Sequence, residues 1–98
     1  MSEKSRRDTI EEIDCWAENL EADVVLLGSR EDRHEYADAI VGVVSVPKPA
    51  VVYLRSKVIE VFEKQGMSYN EAEEWYEYNT VRSMPYMRDN PPILVDDI

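Results

Sequence analysis

Apolar residues first recur at helical spacing at Ile10, Ile13, Trp16, Ala17 and Leu20. Steps of three and four place them on one face of an amphipathic helix over about residues 9 to 21. Glu11, Glu12, Glu18 and Glu21 fall on the other face. Asp8, followed by Glu11, predicts an N-cap with its reciprocal partner. Residues 1 to 7 are polar and predict a frayed end.

The period then changes. "DVVLLG" is β-branched and leucine-rich and ends at Gly28, which predicts a short strand near 23–28 or an extended segment laid against the core. "SREDRHEY" is charged and aperiodic, hence a loop or a single helical turn. "ADAIVGVVSV" is continuously apolar and rich in β-branched residues, which predicts a buried strand near 38–46. Gly42 inside it predicts a bulge or a close backbone approach. Pro47 and Pro49 cannot donate ladder hydrogen bonds and stop the strand. "AVVYL" resumes it over 50–54, so the two runs predict a hairpin.

Val58, Ile59 and Phe62 form the inner stripe of a second helix, from about Ser56 to Gln65, with Gly66 as its C-terminal stop. Ser68 and Glu71 form an S-x-x-E capping box, and Met67 and Ala72 stand at the positions of a hydrophobic staple. A third helix therefore starts at about Tyr69. "PPILVDDI" predicts a last strand near 92–97. The expected fold class is α+β: a small, largely antiparallel sheet with about three helices packed on it, in a single domain of 98 residues.

The third helix carries most of the candidate chemistry. Ala72, Trp75, Tyr76 and Asn79 share one face of an α-helix. Trp75 and Tyr76 are expected to pack on the sheet. Asn79, in line with them, is expected to bury its amide and bond the backbone of the loop near residues 80 to 92. Tyr78 is expected half-exposed among the glutamates. The competing reading makes Tyr78, Asn79, Arg82 and Tyr86 the edge of a pocket or partner surface, since Tyr and Arg are common interface anchors.

Composition excludes several functions. With 21 acidic and 11 basic residues, the formal net charge is −10, which repels nucleic acid and anionic membrane. Residues 1–38 hold 12 acidic and 5 basic side chains, and residues 60–77 hold 6 and 1. That balance suits a basic partner surface, mimicry of nucleic-acid charge, or plain solubility. No secretory signal and no membrane-length apolar run is present. One cysteine, Cys15, cannot form an intramolecular disulfide, so a reducing compartment fits best. Beside Trp16 on a helix, its thiol is expected to pack rather than to act as a nucleophile. His34 is the only histidine, too few for a His/Cys metal site. No glycine-rich phosphate loop exists, and Asp96 and Asp97 sit at a chain end, a poor place for a pKa-shifting burial. No catalytic residues, cofactor or metal are expected.

In order, "EYADAIVGV", "AVVYLRSKVIEVF", "GMSYNEAEEWYEYNTV" and "PPILVDDI" resemble a widespread family of small uncharacterised bacteriophage proteins, over about residues 35 to 96. "EAEEWYEYNTV" carries most of the resemblance. Leu54 stands where that family often has an acidic residue, and "VRSMPYMRDN" replaces a glycine-rich segment. The resemblance implies a viral origin and a place in the cytoplasm of an infected bacterium, and no activity. The expectation is therefore a non-enzymatic phage accessory protein that binds a host or viral protein with a basic surface, in counter-defence or as a nucleic-acid mimic. A self-associating structural or assembly protein, including a homodimer, is the first alternative. A small-molecule binder using the Tyr78–Asn79–Arg82–Tyr86 edge is the second.

Overall fold

The computed structural model describes residues 6–28, 33–83 and 90–97. Helix α1 spans Arg6–Asn19 and buries Ile10, Ile13 and Ala17 of the predicted stripe; Trp16 is half-buried, and Leu20, expected on the same face, lies past the helix end and is 44 % exposed. It begins before Asp8, which therefore lies in the first turn instead of capping it. A carboxylate there still faces the positive end of the helix dipole. Cys15 is exposed, so the expected packing of its thiol is not found.

The end of α1 is a Schellman motif. The Glu21 N–H donates to the Glu18 carbonyl and the Ala22 N–H to the Ala17 carbonyl, both at 3.0 Å. The motif needs a left-handed residue, and Glu21 supplies it at φ 53°. Gly66 fills the same position after the second helix at φ 105°, without a β-carbon to strain.

Residues 23–28 do not join the sheet as the expected strand. They form the extended segment laid against the core, with a parallel bridge between Val24 and Asn90. Two groups pin the segment. The Asn90 side chain donates to the Asp23 carbonyl at 2.7 Å, and the Leu27 N–H donates to the Tyr53 hydroxyl at 3.0 Å. Gly28 adopts φ 87°, and a β-carbon there would lie 2.8 Å from the Tyr36 ring. That ring meets Phe62 edge-on, with centroids 5.9 Å apart.

The apolar run at 38–46 opens as a 3₁₀ helix, Glu35–Ala39, and only then becomes strand β1, Ile40–Val44. β1 pairs antiparallel with β2, Ala50–Leu54, and the register shifts between Ile40 and Gly42, the bulge that Gly42 predicted. β2 runs without a loop into α2, Arg55–Lys64. Helix α3, Tyr69–Trp75, follows, and β3, Ile93–Val95, lies parallel to β2 in the order β1-β2-β3. Among the described residues, the fold is a small α+β arrangement of three helices and an open three-stranded sheet.

Parallel pairing has a consequence for charge. It carries the chain leaving β3 to the start of α2, which has no acidic residue in its first turn and no side-chain N-cap. Asp97 accepts from the Ser56 hydroxyl at 3.0 and 3.1 Å, and Asp96 lies 3.8 Å from the Arg55 Nε. The two carboxylates thus supply the negative charge that this helix end lacks locally.

Val51 and Tyr53, alternate residues of β2, meet Ile13, Val58, Ile59, Phe62, Ala72 and Tyr76 in the core. Tyr53 is 0 % exposed, and burial pushes its phenol up to about 12. A buried phenol left neutral can accept the Leu27 N–H and tie the 23–28 segment to the sheet.

Candidate functional site

Helix α3 begins as the sequence predicts. The Glu71 N–H donates to the Ser68 hydroxyl, and the Glu71 carboxylate accepts from the Ser68 N–H, each at 3.2 Å. Met67 is half-buried against the core and Ala72 is fully buried, which completes the staple.

Beyond Trp75 the helix widens into a π-helical segment, Tyr76–Val81. The i→i+5 winding advances each residue by less than the roughly 100° of an α-helix. Two steps of four residues then stay in line, and the buried stripe becomes Ala72, Tyr76 and Thr80. Residues expected beside that stripe are displaced from it. Trp75 is 48 % exposed instead of packed on the sheet. Asn79 is exposed instead of buried, and its amide has no hydrogen-bond partner among the described residues. The expected anchoring of residues 80–92 by Asn79 is thereby corrected. In the described part of that stretch, Asn90 makes such a bond, and the Ser83 hydroxyl donates to the Thr80 carbonyl at 2.9 Å.

The same widening assembles an outer ridge. Tyr78 is 59 % exposed, and the Arg82 guanidinium stacks 4.4 Å from its ring centroid. This cation–π contact holds the ring upright and keeps a charge beside it. Tyr78 separates two open grooves. One, of about 670 Å³, runs over Arg55, Glu73, Glu77 and Arg82; the other, of about 330 Å³, runs over Met67, Glu71, Trp75 and Asn79. Glu74 and Tyr78 line both. Tyr86 of the predicted set lies outside the described residues. The structure therefore brings Tyr78, Asn79 and Arg82 onto one surface and adds Trp75, Glu74 and Glu77. The signal for these additions, four aromatics among four glutamates in residues 69–78, was present; the outward turn of Trp75 was not.

Charges on the two sides of the ridge differ in how they are held. Arg55 donates to Glu73 at 3.0 Å, a bond that raises its pKa further, and its guanidinium sits 5.3 Å from the Tyr76 ring centroid. Burial raises the pKa of the Tyr76 phenol itself. This half-buried cluster joins the start of α2 to α3 and fixes the ridge's base. Glu74 and Glu77, by contrast, are exposed and have no ion-pair partner among the described residues. They flank Tyr78 as carboxylates available to an incoming cation.

Among the described residues, no group of three or more His, Cys, Asp and Glu side chains is placed to hold a metal ion. No described helix is long and apolar enough to cross a membrane. These features define the class: a small α+β protein with an exposed aromatic and acidic ridge on a π-wound helix. In comparisons with protein-family models, curated proteins and solved structures, nothing matches this chain.

Proposed function

We propose that the protein is a non-enzymatic binding module that holds a host or viral protein with a basic surface against the Trp75–Tyr78 ridge. The observation that carries this reading is the outward placement of Trp75 and Tyr78, with Arg82 stacked on Tyr78 and with Glu74 and Glu77 beside it, which have no ion-pair partner among the described residues. Large aromatics and arginine are the residue types that dominate binding energy when an interface desolvates them. Unpaired carboxylates around them favour lysine and arginine on the partner and raise the association rate at low salt. π-helical turns within α-helices are frequent at functional sites, and this one carries Tyr78 and Arg82. The phage-family resemblance of residues 35 to 96 adds a setting, the cytoplasm of an infected bacterium, where counter-defence or nucleic-acid mimicry would use such a surface.

The test is capture from bacterial lysate, with and without infection, on immobilised wild-type chain and on the Trp75→Ala/Tyr78→Ala variant. The reading expects a basic protein that is retained by the first and lost from the second, with both chains equally folded. Equal retention by the two would refute it.

A further inference from the structure

A second surface lies away from the ridge, along β1. This strand pairs only with β2 among the described residues, so every second residue turns its N–H and C=O to the open side. Proteins usually guard such an edge with lysine, proline or an inward charge. β1 reads Ile-Val-Gly-Val-Val and has none of these. Its one guard is the bulge between Ile40 and Gly42. Val41 is 56 % and Val43 42 % exposed.

Beside the edge runs an open groove of about 520 Å³ between β1 and α1, lined by Ile13, Trp16, Ile40 and Val43, with Thr9 and Glu12 on its helix side. Val43 is the register partner of Val51, which belongs to the core, so the groove continues the core's own layer to the sheet edge. Gly42 lies mid-strand, and beyond its own chain neighbours no described heavy atom comes within 4 Å of where its β-carbon would stand. Another backbone can approach there without meeting a side chain.

Charge selects the occupant. A second copy would bring another −10, including an α1 whose five carboxylates outnumber its two arginines. A cationic strand would be drawn to the same place. We infer that the β1 edge takes an extended, basic segment of a partner protein as an added strand, with an apolar side chain at every second position seated against Ile13, Trp16 and Val43. Main-chain pairing supplies the affinity and the groove supplies the side-chain selection. The inference does not depend on the ridge.

The experiment titrates the isotopically labelled full chain with three synthetic octapeptides: alternating Val-Lys, alternating Val-Glu, and Val-Lys interrupted by a central proline. The inference expects Val-Lys to shift the amides of residues 40–44 and the Trp16 indole and to protect those amides from exchange. The other two peptides should bind at least about tenfold more weakly, since one is repelled and the other cannot complete the ladder. Val41→Lys and Val43→Lys, at exposed positions, should weaken Val-Lys binding by about tenfold with an unchanged urea midpoint. Equal binding of all three peptides, shifts confined to Trp75 and Tyr78, or no binding at about millimolar peptide would overturn the inference. So would a dimer by light scattering with residues 40–44 already protected in the absence of peptide, because the edge would then belong to a second copy.

Discussion

Tyr53→Phe removes one oxygen from a side chain that is 0 % exposed and keeps its ring. The Leu27 N–H, which donates to that oxygen at 3.0 Å, is left buried with no acceptor. Leaving such a group unpaired costs about 1–3 kcal/mol at neutral pH. For a domain of this length that is a fall in Tm of about 4–8 °C per kcal/mol. Burial of the phenol, which raises its pKa against the opposing pull of the Leu27 N–H, adds a pH signature of its own. Because the folded state holds Tyr53 neutral to about 12 while the unfolded chain ionises it near 10, the unfolded state binds fewer protons between those values. Wild-type stability therefore falls as pH rises from 10 to 12 and is unaffected by this group below 10. At 1.36 kcal/mol per unit, the loss reaches about 2–3 kcal/mol. Phenylalanine has no proton to lose, so the wild-type advantage seen at pH 7 should shrink towards zero by about pH 12. Urea unfolding of both chains across that range, monitored by tryptophan fluorescence, measures the difference directly. A variant as stable as wild type at pH 7 would refute the role of the hydroxyl bond, and a gap that does not close in alkali would refute the burial of the phenol.

Three other substitutions separate backbone and side-chain contributions. Glu21→Gly relieves a left-handed residue at φ 53° and should raise stability by about 0.5–1 kcal/mol in urea unfolding, after the entropy of glycine is set against the strain. Gly28→Ala should lower it by about 1–3 kcal/mol, because φ 87° strains the alanine and its β-carbon meets the Tyr36 ring; a neutral result in thermal unfolding would contradict the geometry. Asn79→Ala should change the urea midpoint by less than about 0.5 kcal/mol equivalent, as expected for an exposed amide without a partner.

What the sequence made legible follows from how local each signal is. Ser68, Glu71 and Gly66 satisfy backbone groups within a few residues, so their roles as caps and stop could be read from spacing alone. The stripes of α1 and α2 and the hairpin about Pro47 and Pro49 were legible for the same reason. Glu21 could not be read as a stop, because its left-handed geometry is imposed by the packing of α1 and not by its residue type. The segment 23–28 has strand composition, but its fate was decided by Tyr53 and Asn90, which are 26 and 67 residues away from their partners. Asp96 and Asp97 gained a role only from the parallel register of β3. The candidate site was half legible. Tyr78, Asn79 and Arg82 were named on composition, but their phase rests on the π winding after Trp75, which apolar spacing does not encode. Asn79 lies within that winding and is exposed, while Trp75, at the end of the regular helix before it, faces outward beside the Ala72–Tyr76 stripe.

In the proposed reading, the Trp75–Tyr78 ridge binds a partner and contributes little to the fold. The most direct measurement is the affinity of the captured partner for wild type and for Tyr78→Ala at about 50 and 200 mM salt, alongside the urea midpoint of each chain. Tyr78→Ala should raise Kd at least tenfold, about 1.4 kcal/mol, with the midpoint unchanged, and wild-type affinity should fall with salt. An unchanged Kd in a folded Tyr78→Ala chain would contradict that reading.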